Sequence, residues 1–132
     1  MTIDSVITIE MGAGEAVRPE WPQGTASPGW SEVEWRAFAD ATGSLFGGSW
    51  EGEPGTLLLD PYPYDEICVM ISGRIALADM QGGRKEYGPG QVFFVPKGFR
   101  GSWITLEPSK KFFFAFHADP PGREADHPAR SA

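Results

Sequence analysis

Short apolar runs separated by glycine and proline fill the chain from residue 44 onward. The 132 residues include 17 glycines and 12 prolines, which interrupt helices and mark turns. Residues 66–72 are typical of a strand, because side chains of alternating positions can cover two faces. Gly82-Gly83 is typical of a hairpin turn between two such strands. Short strands joined by evenly spaced turns predict an all-β domain, either a sandwich or a barrel.

The first 43 residues follow a different pattern, and we interpret them as an irregular N-terminal arm. Residues 18–30 are rich in proline and glycine, which predicts a loop. Ser31 to Ala41 predicts a short helix, since Ser31 can cap it and Glu34 follows three residues later. The arm is also rich in tryptophan, so we expect it to pack on the barrel or on a second subunit.

The predicted organisation is one domain with two flanking segments. The arm covers residues 1–43 and the barrel covers residues 44–118. Residues 119–132 are polar and rich in proline, which predicts a disordered tail because such a segment buries little apolar surface.

Composition excludes several classes of function. The net charge is −7, and no basic cluster extends beyond Lys110-Lys111, so the sequence argues against binding to nucleic acid. Cys68 is the only cysteine, which excludes a disulfide framework within one chain and a zinc site built from cysteines. No apolar stretch is long enough for a membrane span, and the first residues do not resemble a signal peptide. A cytoplasmic protein is therefore expected.

Two segments carry the spacing of a known pair of motifs. In the first, Gly73 follows Glu66 by seven positions; in the second, Pro96 and Gly98 follow Gly90 by six and eight positions. These intervals resemble the two motifs of the cupin superfamily. The resemblance implies a single-domain double-stranded β-helix, also described as a jelly-roll barrel.

Further segments resemble the small cupins grouped with the cupin domain of (S)-ureidoglycine aminohydrolase. The resemblance covers about residues 44 to 117 and rests on residues 50–55, 65–68, 98–103 and 107–111. Many members of this group are single barrels without an established activity. The aminohydrolase itself is a two-barrel protein that depends on manganese, whereas the present chain holds one barrel.

The resemblance also implies a metal site of three histidines and one glutamate inside the barrel. Two of the histidine positions correspond to Asp60 and Tyr62, and the third corresponds to Gly101. Only Glu66 remains as a family ligand. We therefore predict no metal cofactor; a divalent manganese, iron or zinc ion, if bound, would use Glu66 with Asp60 or Tyr62. Of the two histidines, His127 lies in the predicted tail, and His117 is expected at the barrel rim.

Glu66 is the strongest candidate for a functional side chain. A carboxylate inside a barrel needs a partner, water or a ligand, because burying an unpaired charge is costly. Glu66 can act as a catalytic acid/base or bind a ligand, or it can form a structural salt bridge with Lys111. Cys68 shares its strand face and is expected to be a buried, unreactive thiol, since no histidine adjoins it.

Four more side chains complete the predicted ligand pocket. Asp60 and Tyr62 are expected at the barrel mouth, unless the neighbouring prolines bend this stretch outward. Trp103 shares strand parity with Gly101 and should point inward, either as an aromatic wall for a ligand or as a core residue. Arg100 lies on a turn, where it can meet an anionic ligand or remain solvated.

Two functional hypotheses follow. In the first, the protein binds an unidentified small molecule in a barrel with a degenerate metal site. In the second, it is an enzyme that acts on a small polar substrate, with ureido or amino nitrogen by analogy, and uses Glu66 as acid/base with or without a weakly bound divalent metal.

The last strand predicts a further partner. Phe112, Phe113, Phe114 and Phe116 make it apolar on both faces, but the barrel interior can bury only one of them. The other face needs a cover, which the arm or a second subunit can supply. We interpret this pattern as evidence for a homodimer.

Overall fold

The computed structural model describes residues 1–117 and consists almost entirely of strands joined by turns. A single 3-10 turn at Ile3–Ser5 precedes them. No helix in the described part of the chain has the length and apolar character needed to cross a membrane. The strands are β1 (Glu15–Val17), β2 (Glu32–Ala39), β3 (Leu45–Gly52), β4 (Gly55–Leu59), β5 (Asp65–Ser72), β6 (Ile75–Asp79), β7 (Arg84–Tyr87), β8 (Val92–Val95), β9 (Gly101–Thr105) and β10 (Ser109–Phe116).

The strands form two antiparallel sheets. The order is β1-β2-β3-β10-β5-β8 in the six-stranded sheet and β4-β9-β6-β7 in the four-stranded sheet. Side chains from both sheets meet in one core, where the rings of Trp50 and Trp103 lie 5.7 Å apart between centroids. Two facing antiparallel sheets with non-sequential strand neighbours form the predicted single-domain jelly roll.

Alternation along the strands decides which side chains enter the core. On β5, Glu66, Cys68 and Met70 are buried, whereas Ile67 and Ile71 are exposed. This pattern follows from the two-residue period of a strand, and β10 repeats it. On β3 the residues from Phe46 to Trp50 are all buried. The predicted inward face of β5 is therefore confirmed.

The predicted helix at Ser31 to Ala41 was wrong, because β2 occupies this segment. Seven of its eight residues pair with β3, with a bulge between Arg36 and Phe38, and the strand extends the six-stranded sheet. Val33 and Trp35 favour an extended backbone, and the ladder of hydrogen bonds with β3 outweighs the weak capping signal of Ser31 and Glu34. This strand brings its alternating glutamates to the interior of the barrel.

The rest of the arm crosses one end of the barrel. Ala26 forms a bridge with Leu57, and the Ser27 amide donates to the Thr56 carbonyl at 2.8 Å. Trp21 and Trp30 pack against the core from this segment. The arm therefore covers its own barrel here. The predicted tail at residues 119–132 lies outside the described residues.

Candidate functional site

A small cavity lies where the arm covers the end of the barrel, and we call it the barrel cavity. Its free volume is about 30 Å³, which is room for about two water molecules. Its charged lining consists of three carboxylates and one ammonium group: Glu32, Glu34, Glu66 and Lys111. The aromatic lining side chains are Trp21, Trp30, Trp50, Tyr62, Tyr64, Trp103 and Phe113.

Glu66 is held by three donors inside the barrel cavity. Only 5% of the residue is exposed. Its Oε1 accepts a hydrogen bond from the Tyr62 hydroxyl. Its Oε2 accepts from Lys111 Nζ at 2.7 Å and from Cys68 Sγ at 3.1 Å. The salt bridge with Lys111, one of the two sequence-based alternatives for Glu66, is therefore present.

Lys111 reaches the cavity from β10 and is also buried. Its ammonium lies 4.3 Å from the ring centroid of Trp103 and 4.9 Å from that of Trp50, which is cation–π geometry. Burial lowers the pKa of Lys111, but the neighbouring Cys68 and Glu66 outweigh this and raise the pKa above its ordinary value. The side chain is therefore a fixed cation rather than a neutral amine.

The two neutral donors to Glu66 keep their protons. Burial raises the pKa of Cys68 well above its ordinary value, and the nearby Glu66 carboxylate raises it further. The same two causes, in the same order, raise the pKa of Tyr62. Both groups can donate hydrogen bonds, and neither is a nucleophile at neutral pH.

The side chains in the barrel do not fit the metal implied by the cupin resemblance. The Lys111 ammonium occupies the space beside Glu66, and in residues 1–117 no three His, Cys, Asp or Glu side chains are grouped so that they could hold a metal ion. At Gly101 a Cβ would lie 2.0 Å from the Ala78 carbonyl oxygen, so this backbone leaves no space for a ligand side chain.

Two glutamates of the cavity were missed by the sequence analysis. Glu32 accepts hydrogen bonds from Trp21 Nε1 and Trp50 Nε1, each at 2.6 Å. Glu34 accepts from Arg36 Nε at 2.6 Å. Burial raises the pKa of both carboxyls above its ordinary value, and these partners oppose the effect only in part. The alternation of Glu32, Glu34 and Arg36 is the signal that would have placed them on one strand face.

The six side chains of the predicted pocket separate into two groups. Tyr62, Glu66, Trp103 and Lys111 meet in the barrel cavity. Asp60 and Arg100 form a salt bridge outside it, with 57% and 62% of their side chains exposed. Two backbone hydrogen bonds hold Tyr62 against the turn before β9: its amide donates to the Phe99 carbonyl at 2.8 Å, and its carbonyl accepts from the Gly98 amide at 2.9 Å.

Two other side chains add detail to the site. Trp103 is 4% exposed, and its Nε1 has no hydrogen-bond acceptor among the residues that the structure describes. His117 is buried, with its ring 5.6 Å from that of Tyr64, so the prediction that it lies at the rim was wrong. His117 directly follows β10 and continues the alternation of that strand, in which the odd-numbered residues face inward, and this accounts for the burial.

A second depression lies beside β7 and β8, which are edge strands of the four-stranded and the six-stranded sheet, respectively. It is open to solvent and has a volume of about 460 Å³. Tyr87 and Phe93, which stack on each other with centroids 4.2 Å apart, line it, and so do the exposed residues Arg84 and Lys85. It is larger than the barrel cavity, but its charged groups lie in solvent.

The comparisons with known proteins agree with the fold. The family model of the EutQ-like cupin domain matches residues 40–113. The EutQ protein of Clostridium difficile is 22% identical, with a TM-score of 0.59, over 70% of this chain and 73% of that protein. A putative ethanolamine utilization protein Q from Salmonella typhimurium is 21% identical, with a TM-score of 0.58, over 74% and 78%.

A third structure gives a higher structural similarity. It is a protein of unknown function of the DUF861 family from Pseudomonas syringae, 22% identical with a TM-score of 0.69. The match covers 81% of this chain but 46% of that protein, so the chain spans less than half of it. The comparison with curated proteins found no match. At these identities the structural similarities show the fold.

Proposed function

This chain belongs to the EutQ-like cupin family, and from that premise we propose that it is a small-molecule-binding cupin whose ligand enters the barrel cavity. The observation that carries this proposal is the arm over the cavity. Trp21 hydrogen-bonds to Glu32 and stacks on Tyr62 with centroids 6.4 Å apart, so a surface aromatic closes an interior lined by polar groups. Concave, mostly apolar sites with a few convergent polar groups are typical of ligand pockets.

Catalysis by Glu66 is the alternative, and the contacts of this residue argue against it. A general acid/base needs an oxygen that reaches the substrate. Both oxygens of Glu66 already accept hydrogen bonds, from Tyr62 on one side and from Lys111 and Cys68 on the other. Binding is therefore the better supported function. The finer resemblance to the ureidoglycine aminohydrolase group, with its nitrogen-containing substrate, and a cytoplasmic location remain predictions.

Tryptophan fluorescence can test the proposal, because four of the five tryptophans line the barrel cavity. We expect a small molecule that binds there to change the emission of the folded protein and to raise its Tm. Trp35 lies outside the cavity, so the Trp35→Phe variant should keep the ligand-induced change. Metal analysis of the same sample should find less than stoichiometric manganese, iron and zinc.

Binding in the depression beside β7 and β8 would give a different result. No tryptophan is among the residues that line it. A ligand that raises the Tm without altering the fluorescence of any cavity tryptophan would contradict the proposed site. Stoichiometric metal that is lost in a Glu66→Gln variant would favour the enzyme instead.

We also propose that the protein forms a homodimer through the outer face of its six-stranded sheet. Ile67, Ile71, Val92, Phe94 and Phe116 are 43% to 59% exposed on this face. Register makes the patch continuous, because Ile67 lies opposite both Phe94 and Phe114. Contiguous apolar surface of this kind marks an interface. A second copy is the chosen partner, because residues 119–132 bring no large apolar side chain to cover the patch.

The oligomeric state provides the test. Wild-type protein should have the mass of a dimer in light scattering, and Phe94→Lys should shift it toward a monomer. Leu58→Lys is the matched control, because Leu58 is an exposed apolar residue on the other sheet. A monomeric wild-type protein, or equal effects of the two variants, would argue against this interface.

A further inference from the structure

The charged groups that line the barrel cavity are not balanced. Glu66 has Lys111 as its cation at 2.7 Å, and Glu34 has Arg36 at 2.6 Å. The Glu32 carboxylate has only the neutral indole N–H groups of two tryptophans as hydrogen-bond donors, and in residues 1–117 no Lys or Arg forms a salt bridge with it. Lys111 acts on this carboxylate only through space, and the Arg18 guanidinium donates to the Glu32 backbone carbonyl at 3.0 Å. A carboxylate in a desolvated position is costly without a cation. Glu32 is therefore the point of the wall where a positive charge would be most stabilising.

The aromatic walls of the cavity already hold one ammonium group. Lys111 Nζ lies over Trp103 and Trp50 at 4.3 and 4.9 Å. Near Glu32, Trp21 and Tyr62 present two nearly parallel rings, with an angle of 18° between their planes. Indole and phenol rings attract organic cations most strongly where water is excluded. Glu32 therefore has aromatic rings beside it, as the Lys111 ammonium does, and these can make cation–π contacts with a bound cation.

One side chain that lines the same cavity carries a buried donor without an acceptor. Trp103 is 4% exposed, and its indole N–H has no acceptor among the described residues, which is unusual for a buried polar group. An oxygen on a molecule in the cavity would satisfy it. This observation is independent of the carboxylates, and it indicates a ligand that carries an acceptor.

We propose that the barrel cavity binds a small organic cation that also carries a hydroxyl or carbonyl oxygen, with Glu32 as counter-ion and Trp103 as donor to that oxygen. This inference rests on the proposed function, and it names the class of ligand. The free volume of about 30 Å³ is smaller than such a molecule. Trp21 therefore shifts on binding, and the cation replaces the Trp21 N–H at Oε2 of Glu32 while the Tyr62 ring remains beside it.

Choline and its neutral carbon analogue, 3,3-dimethylbutan-1-ol, form a matched pair of probes. They share shape and hydroxyl group and differ in charge. In calorimetric titrations of the full chain, choline should bind about tenfold or more tightly than the alcohol, because the charge adds the ion pair and the cation–π contacts. Equal affinities, or tighter binding of the alcohol, would overturn the inference.

Variants locate the charge that is responsible. Glu32→Gln should lower the affinity for choline about tenfold and leave that for the alcohol unchanged. The matched control is Glu51→Gln on β3, whose carboxylate lies outside the cavity lining. A folded Glu32→Gln variant with unchanged choline affinity would refute the role of Glu32. If that variant does not fold, Glu32→Asp keeps the charge and should keep the preference for choline; loss of the preference would count against the inference.

The outcomes separate this inference from the proposed function. Binding of the alcohol with a change in tryptophan fluorescence, but without any preference for choline, would leave the cavity a binding site and remove the cationic class of ligand. Failure of every probe in a chemically varied panel to change the fluorescence or the Tm would contradict both.

Discussion

Removal of the Lys111 ammonium is the most direct perturbation of the barrel interior. Lys111→Met keeps an unbranched side chain of similar length and deletes the charge that lies 2.7 Å from Glu66. Glu66 then keeps the neutral donors Tyr62 and Cys68 but loses its cation. Breaking a buried ion pair on one side costs about 3–5 kcal/mol. A domain of this size is stabilised by only about 5–15 kcal/mol, so the variant should fold with a much reduced free energy of unfolding.

Urea unfolding at pH 7, followed by far-UV circular dichroism, measures this loss. Lys110→Met is the matched control, because the neighbouring Lys110 has 51% of its side chain exposed and lies 3.9 Å from Glu51. Such a surface pair contributes about 0–1 kcal/mol. We therefore expect the two variants to differ in their free energy of unfolding by roughly 2–5 kcal/mol.

A double variant tests whether the loss arises from the unpaired charge. Glu66→Gln together with Lys111→Met removes both charges, so the pair should recover a large part of the stability that either single change loses. Losses that simply add, or a Lys111→Met variant as stable as Lys110→Met, would refute the view that this buried pair is the electrostatic centre of the barrel.

Three further predictions concern other groups of the site. The raised pKa of Glu32 means that the folded state binds this proton more readily than the unfolded chain does. The stability that this protonation adds is therefore present at low pH and is lost as the pH rises above the unfolded value of 4.5. The Tm of Glu32→Gln relative to wild type should increase between pH 4 and pH 7, and a constant difference would contradict this. Cys68 is buried with a raised pKa, so a thiol reagent at pH 8 should label native protein about a hundredfold or more slowly than urea-unfolded protein, and equal rates would contradict an inert thiol. Gly101→His, which places a histidine where the cupin resemblance implies one, should lower the Tm and should not create a stoichiometric metal site, because a Cβ there meets the Ala78 carbonyl oxygen at 2.0 Å. A stable variant that binds metal would show that the backbone accommodates the side chain.

Strand parity predicted the interior of the barrel from residue 44 onward. Glu66, Cys68 and Met70 share a buried face, and Trp103 points inward as its spacing from Gly101 indicated. These predictions succeeded because a two-residue period is a local property of an extended backbone. The salt bridge between Glu66 and Lys111 was one of two alternatives that the sequence left open, since a buried carboxylate needs a partner, water or a ligand.

The arm could not be predicted in the same way. The capping signal at Ser31 and Glu34 favours a helix locally, and pairing with β3 reverses that preference. Because the sequence predicts a helix over the residues of β2, it does not place Glu32 in the cavity. Tertiary pairing between distant segments decides such cases, and a local pattern does not contain it.

The inward lysine and the absence of the histidines that the cupin resemblance implies are electrostatically connected. Glu66 keeps its place on β5, and Gly101 has no space for a ligand, so Glu66 needs a cation from elsewhere. Lys111 supplies one positive charge from the adjacent strand, fixed by cation–π contacts with Trp50 and Trp103. A cation on a side chain cannot exchange with solvent as a metal ion can, so the pair of Glu66 and Lys111 stabilises the fold and leaves no free charge there for a ligand. Glu32, on the other wall, has no tethered cation, and it is therefore where an exchangeable one can still bind.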